Sequence, residues 1–335
     1  MKKILITGAT GFLGKYLVDV FKKNNYAVIA TGRNKDRGAE LVSEQVTFIA
    51  CDLTNEYETL KLMKDVDIVV HAAALSSAWG RYESFYNSNV KSTENLVKAC
   101  MNNNVKKIIF VSSPSVYTAT KNQFNVKESD APKTNKMNYY IETKLMAEQV
   151  IKQAQTKGIN TVVIRPRGLF GVGDPSIVPR ILDVNEKMGI PLFSEGQQMI
   201  DITYVENVAH SIFLAAENDN VSGETFNITN DEPLSFKEIT DLLFKDLPIN
   251  KKYKRINPKV FYFLAGLLEF VYKSLHIKSE PVLTKYKACT LLYSQTLNIE
   301  KAKKLLGYTP VVSVKEGIKI YTDWWIENDK KSISS

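Results

Sequence analysis

The first half of the chain alternates two hydrophobic periods. Short, continuous apolar runs occur at Lys3–Thr7, Ala27–Thr31, Thr47–Ala50, Asp67–Ala72 ("DIVVHA"), Lys107–Ser112 ("KIIFVS") and Thr161–Arg165. Runs of this length read as strands covered on both faces. Between them lie stretches with helical spacing. Gly11–Lys23 places Phe12, Leu13, Leu17, Val20 and Phe21 on one side, and Glu83–Asn103 and Asn138–Thr156 are longer. Gly158 stands just past the last of these, where a left-handed cap is expected. The alternation predicts an α/β protein built on a doubly wound parallel sheet. After Pro166 it loosens, prolines and glycines become frequent, and a smaller second lobe is expected. Within that lobe, 258–275 ("PKVFYFLAGLLEFVYKSL") is densely apolar but carries Glu269 and is shorter than the roughly 20 apolar residues that span a bilayer. It predicts a buried helix lining the lobe, with peripheral contact at a membrane interface as the alternative and no stable insertion.

Composition changes this picture little. The 335 residues carry a net charge of +8, but the lysines are dispersed among acidic residues instead of gathered in a stripe, which argues against nucleic-acid binding. Cys51, Cys100 and Cys289 have no paired spacing, which excludes a disulfide framework or a zinc site and fits a reducing compartment. The apolar start "MKKILITGATG" is broken by glycines after one strand and does not read as a signal peptide, so a cytoplasmic location is expected.

The chemistry begins at "TGATGFLG", which follows the first strand and opens the first helix. Gly8 suits the tight turn, Gly11 the close approach of a pyrophosphate, and Gly14 the packing of helix on sheet. The helix N-terminus offers free amides and partial positive charge to phosphates. Gly8, Thr10, Gly11, Phe12, Leu13 and Gly14 are therefore expected to hold a dinucleotide on a Rossmann-type sheet.

The glycine spacing G-x-x-G-x-x-G resembles that of the extended short-chain dehydrogenase/reductase superfamily. Further stretches carry the resemblance: "CDLT", "HAAA", "SNVKSTENL", "VSSPSVY" and a Y-x-x-x-K pair. It implies that Asp52 and Leu53 meet the adenine, that Ala72, Ala73, Ala74 and Val111 border the cofactor, and that Asn89 helps hold a proton-relay water. Ser113 becomes the catalytic serine, with Ser112 the second choice. His71 is assigned no catalytic part. The resemblance also implies a discontinuous second lobe: 1–165 dinucleotide-binding with 203–228 returning to it, 166–202 and 229–330 forming the substrate lobe, and 331–335 a disordered tail. A homodimer is common in the superfamily.

"NYYIETK" holds two tyrosines, but only Tyr140 has a lysine four residues on, at Lys144, and so on the same helix face. Tyr140 is the candidate acid/base and Tyr139 a packing residue. A nearby ammonium is expected to lower the phenol's pKa. By the resemblance, Lys144 also bonds the nicotinamide ribose. Pro166, Gly168 and Leu169 follow the sixth strand at the edge where ligands gather.

Strand two ends "ATGRNKDRG" without the acidic residue that marks NAD; Arg33 stands near that place and suits a 2′-phosphate. NADP is expected, with NAD still compatible. Three functions compete: a reductase or dehydrogenase for an apolar substrate, a nucleotide-sugar epimerase or dehydratase, and a non-catalytic NADP-binding regulator. "IDITYVEN" has Ile200 where sugar-nucleotide enzymes carry an arginine. "AALSSAWG", "YIETKLMAEQ", "RPRGLFGVGD" and "DITYVENVAH" resemble the 3β-hydroxysteroid dehydrogenase/isomerase-like group. That resemblance implies hydride transfer between a secondary alcohol and a ketone on an apolar substrate, steroid-like or a long-chain β-keto acid. Ser76 and Trp79 are candidates for the substrate cleft beside Ser113.

Overall fold

The apolar runs of the first half do form one parallel sheet. The computed structural model describes residues 1–333, with side chains through Asn328. Its main sheet has seven strands: β1 (Lys3–Thr7), β2 (Ala27–Gly32), β3 (Val46–Ala50), β4 (Ile68–His71), β5 (Lys107–Val111), β6 (Asn160–Pro166) and β7 (Thr225–Ile228). In space they run β7-β6-β5-β4-β1-β2-β3, every neighbouring pair parallel. The order reverses between β1 and β4, and ligands bind outside the carboxyl ends of strands at such a switch point.

Each face of the sheet is covered by helices, as continuous apolar strands require. On one face Leu17, Val18 and Phe21 of the Phe12–Lys23 helix meet Val208, Ile212 and Ala215 of the Val205–Glu217 helix over Ile4, Ile6 and Ile109. On the other, Leu96 and Cys100 of the Ser92–Asn102 helix and Ala147 and Ile151 of the Tyr139–Thr156 helix cover Leu5, Val69 and Ile108. The long helix expected over 83–103 is interrupted. It runs Tyr82–Phe85, passes through a π-helical stretch at Tyr86–Lys91 and resumes at Ser92–Asn102. Two short helices, Lys35–Ala39 and Glu56–Leu62, have no long apolar period and start instead on asparagine caps, Asn34 and Asn55.

Segments cross the domain boundary expected from the sequence in both directions. Ile299, Ala302, Leu306 and Tyr308 pack into the core under the main sheet. Conversely, Gln123–Val126 joins a small sheet with Gln295–Leu297, Met199–Ile200 and Leu234–Ser235. The rest of the second lobe gathers around Ile190, Ile239, Leu243 and Tyr321. The final helix continues to Ile333, inside the segment 331–335 expected to be a disordered tail, whose last two residues lie outside the described residues.

The helix Pro258–Ser274 is not the buried element its composition suggested. Ala265 alone is buried, while Phe263, Phe270 and Leu275 are each about two-thirds exposed. Gly266 lets the helix lie close to Lys285, so only a narrow side is covered. Among the described residues no helix is long and apolar enough to cross a membrane.

A buried lysine ties the returning helix to the sheet. Lys107, at the start of β5, is only 2 % exposed, and its Nζ donates to the carbonyls of Ala215, Ala216 and Asn218 at 3.3, 2.9 and 3.1 Å. Cations are favoured at helix C-termini, and the Asp219 carboxylate, 2.7 Å away, meets the same ammonium. Lys107→Met, which keeps the stem but removes the donors, is expected to lower unfolding free energy by about 2 kcal/mol in urea titrations. A loss within experimental error would show that water replaces the ammonium.

Candidate active site

Parallel strands bring all their carboxyl ends to one edge, and the predicted cofactor residues collect there. Gly8 has φ +67°, and a Cβ on it would stand 2.9 Å from the Ala73 backbone. A Cβ on Gly14 would meet the Gly8 carbonyl at 2.1 Å. Both positions therefore exclude any side chain, and the loop between them is free to wrap a pyrophosphate at the helix N-terminus. The cradle fits a dinucleotide. Thr10, Phe12 and Leu13 lie in this loop and the first turn after it; Ala72, Ala73 and Ala74 follow β4, Val111 ends β5, and Pro166 ends β6. Gly168 takes φ +52°, and Leu169 pairs with Thr203 in a two-stranded ladder. Asp52 is exposed after β3, its carboxylate accepting from the Thr54 amide and hydroxyl, while Leu53 is buried in the core. Arg33 follows directly on β2, is exposed, and has no ion pair among the described residues.

His71 shows why this edge is rigid. The Thr93 hydroxyl donates to the Asn89 carbonyl at 2.6 Å, so its oxygen accepts from His71 Nε2 at 3.0 Å. That leaves Nδ1 to accept from the Thr7 hydroxyl at 2.8 Å, and the Thr7 oxygen accepts from the Ala73 amide at 3.1 Å. Burial, with the charge of Lys144 in addition, pushes the imidazole down to about 3. The ring is thus neutral, and both its nitrogens are hydrogen-bonded.

The catalytic candidates sit on the helix Tyr139–Thr156, which Asn138 starts by accepting from the Ile141 amide at 2.8 Å. Ser113 and Ser76 lie close to the Tyr140 phenol and favour its ionised form. Tyr139 is 42 % exposed and stacks edge-on to Tyr82, away from these groups. Ser113, not Ser112, faces Tyr140, because the Ser112 hydroxyl donates to Glu148. Glu148 in turn accepts from Arg165 Nε at 2.9 Å and Nη2 at 2.6 Å, a buried bidentate pair between the helix and β6. Arg165 Nη1 reaches the Tyr117 hydroxyl at 2.6 Å, fixing the serine turn as well.

One electrostatic expectation is corrected. Lys144 does not lower the Tyr140 pKa in the protein alone. Burial raises it, opposed by the nearby Ser113 and Ser76 hydroxyls. The Lys144 ammonium donates to the Val111 carbonyl at 2.7 Å and stands 4.1 Å from the Phe110 ring centre. Its own pKa is pushed down to about 7 by burial, against the pull of Glu148.

Asn89 lies within the π-helical stretch, a feature frequent at functional sites. Its Oδ1 accepts from the Leu75 amide at 2.7 Å and its Nδ2 donates to Thr143 at 3.0 Å, bridging the loop after β4 to the catalytic helix. Trp79, expected at the substrate cleft, is instead docked on the second lobe. Its ring lies edge-on to Tyr272, and its Nε1 donates to the Ile277 carbonyl at 3.4 Å. An indole with a satisfied N–H and an aromatic neighbour is an anchor for the loop.

Residues without a sequence-based role also reach the site. Glu148 carried a signal, since it stands four residues past Lys144 on the same face. Tyr286 carried none. It comes from the second lobe, and its hydroxyl lies 2.7 Å from Ser115 Oγ, which receives the Ser113 hydroxyl at 3.0 Å.

A glycine cradle at the switch point and a Tyr–Lys–Ser cluster beside it define a nicotinamide-dependent enzyme acting on CH–OH groups. Comparison with known proteins places it further. The model of the NAD dependent epimerase/dehydratase family matches residues 4–229, and the chain belongs to that family. It is 31 % identical over 323 residues to the 2-alkyl-3-oxoalkanoate reductase of Stenotrophomonas maltophilia (strain K279a), covering 95 % of this chain and 97 % of that one. It is also 31 % identical over 328 residues to the decarboxylating sterol-4-alpha-carboxylate 3-dehydrogenase of Mus musculus, covering 95 % and 89 %. A solved structure of UDP-glucuronic acid 4-epimerase from Bacillus cereus, in complex with UDP-glucuronic acid and NAD, superposes with a TM-score of 0.77 at 25 % identity over 97 % of this chain and 99 % of that one.

The depressed Lys144 pKa has a signed consequence. In the unfolded chain a lysine titrates near 10.4. Between about 7 and that value the unfolded state binds more protons at this site, so stability rises with pH. Relative to Lys144→Met, the wild-type protein is expected to gain stability from pH 7 to 9, by at most about 1.4 kcal/mol per unit. Thermal melts of both proteins across that range measure the slope, and a difference independent of pH would place the lysine's pKa outside the window.

Proposed function

We propose that this protein interconverts a secondary alcohol and a ketone on an apolar β-hydroxy or β-keto acid, with NADP as the preferred cofactor. The observation that carries this is the pair Tyr140 and Lys144 on one helix, with Lys144 held at the Val111 carbonyl on the same sheet edge as the glycine cradle. When bound, the nicotinamide gives or takes the hydride. In the reducing direction Tyr140, kept protonated by burial, donates its proton to the developing alkoxide. Ser113 and Ser76 orient that oxygen, and Lys144 is held in place at the Val111 carbonyl one helical turn away. Asn89 positions the helix through Thr143, and the resemblance further gives it the relay water.

The substrate class is supported by the relatives' names. A 3-oxoalkanoate and a sterol 4-carboxylate share one unit, a carboxylate one carbon removed from the carbon that is reduced or oxidised. Against a nucleotide-sugar substrate stands Ile200, which packs on the second lobe's core where those enzymes place a cation. Asn207, in place of the usual aspartate of that motif, is fully buried and bonded to Asn230 and to the backbone at Val311 and Val312. The intact Tyr140, Lys144 and Ser113 argue against a non-catalytic regulator.

Consumption of NADPH is expected with long-chain β-keto acids and not with nucleotide-sugar ketones. Tyr140→Phe should lower kcat by about 100-fold or more while leaving cofactor affinity unchanged. Turnover confined to nucleotide sugars would overturn the reading. For the cofactor, Arg33→Ala should weaken NADPH by about tenfold and leave NADH untouched in fluorescence titrations. Equal losses for both would remove the NADP preference.

A further inference from the structure

Two arginines stand two residues apart after the sixth strand's core, and they are treated differently by the fold. Arg165 has its charge and its donors matched by Glu148, Tyr117 and the Glu128 carbonyl. The Arg167 side chain has no such partners. Its Nε is buried without a hydrogen-bond partner, and among the described residues its guanidinium enters no ion pair. The side chain is half-buried, and a buried N–H without an acceptor is costly because its lost hydration is not replaced.

Nearby groups do not supply the match. Asp201 is close enough to favour the Arg167 charge but is outside ion-pair distance, and its Oδ2 accepts from the Leu297 amide at 2.7 Å. Tyr286 is the other group that favours the charge. Arg167 lines a narrow crevice with Thr118, Gln123, Tyr293 and Gln295, where the small sheet of the second lobe meets the loop after β5.

That crevice is linked to the reacting centre. In the serine turn Ser113 donates to Ser115 at 3.0 Å, and Ser115 meets Tyr286 of the second lobe at 2.7 Å. The crevice around Arg167 is walled by Thr118, just past the serine turn, and by Cys289 and Thr290, one turn on from Tyr286 in the Lys285–Leu292 helix. The hydroxyls of Ser113, Ser115 and Tyr286 thus join the serine turn to the helix that walls the Arg167 crevice. A substrate with its reacting oxygen at Tyr140 and an anionic group a short distance away would satisfy both ends. The planar fork of a guanidinium matches a carboxylate in bidentate fashion.

We infer that Arg167 holds the substrate's carboxylate and selects 3-hydroxy and 3-oxo acids over neutral alcohols and ketones. The inference rests on the redox reading of the preceding subsection. It names the group that recognises the acid, and it makes Arg167 a specificity residue distinct from the proton-transfer set.

The test uses the stable, oxidising direction. Wild-type, Arg167→Met and Arg167→Lys proteins are assayed with 3-hydroxytetradecanoate and with its methyl ester. In parallel, tetradecanoate, tetradecanol and UDP-glucose are titrated into each cofactor-loaded protein. Wild type is expected to prefer the acid over the ester by about 100-fold in kcat/KM, and tetradecanoate over tetradecanol in binding. Arg167→Met should abolish both preferences while keeping ester turnover, and Arg167→Lys should restore part of them. Acid and ester falling together, or a preference that survives Arg167→Met, would overturn the assignment, as would UDP-glucose binding that depends on Arg167. A binding preference that is lost in Arg167→Met, with no acid oxidised by wild type, would sustain Arg167 and remove the redox reading instead.

Discussion

The buried pair of Glu148 and Arg165 is the contact on which the rest of the site depends. Each ion leaves water, so the pair adds little net stability, but removing one partner strands the other and costs about 3 to 5 kcal/mol. What the bidentate geometry secures is orientation. It fixes the catalytic helix in rotation against β6, which places Lys144, one turn earlier, at the Val111 carbonyl. Glu148 also takes the hydroxyl of Ser112 and leaves Ser113 for Tyr140. Through Tyr117 the same arginine holds the turn that carries Ser113 and Ser115, and Tyr117 is bonded onward to Asn227 in β7. One ion pair therefore sets the positions of a helix, a serine turn and the sheet edge together.

The other half of the site is held by neutral contacts. Thr7, His71 and Thr93 form a closed chain in which each hydrogen has one acceptor, and the chain ends on the Ala73 amide beside Gly8. Because burial keeps His71 uncharged, this floor does not change with pH over the range in which Lys144 titrates. The charge that does vary is the one beside the reacting groups. Burial moves Tyr140 and Lys144 in opposite directions, the phenol up and the amine down, so both are biased toward their neutral forms.

The second lobe is more than a lid over this edge. Its Gln295–Leu297 strand pairs with Gln123–Val126 just beyond the serine turn, and its Lys285–Leu292 helix carries Tyr286 to Ser115. Trp79 reaches the other way and fixes the loop after β4 to Tyr272 and Ile277. These reciprocal anchors set the serine turn against the lobe that walls the Arg167 crevice. They also explain why the apolar helix Pro258–Ser274 can remain largely exposed, since the lobe's core forms without it around Ile239, Leu243 and Tyr321.

The sequence alone determined the local features. Continuous apolar runs identified six strands of the sheet, because a strand covered on both faces has no polar alternation to hide it. The glycine spacing identified the cradle, and the four-residue separation of Tyr140 and Lys144 chose between two tyrosines, because helical geometry acts over one turn. Only the tertiary structure decided the matters that join distant parts of the chain. Ser113 was separated from Ser112 by Glu148, 36 residues away, and the contact of Ser115 with Tyr286 spans 171 residues. No local period encodes such pairs. The role of Trp79 and the exposure of the helix at 258–274 turned on the same limit. Apolar character states what a side chain avoids, and only the packing of the lobes states whether a partner is there to cover it.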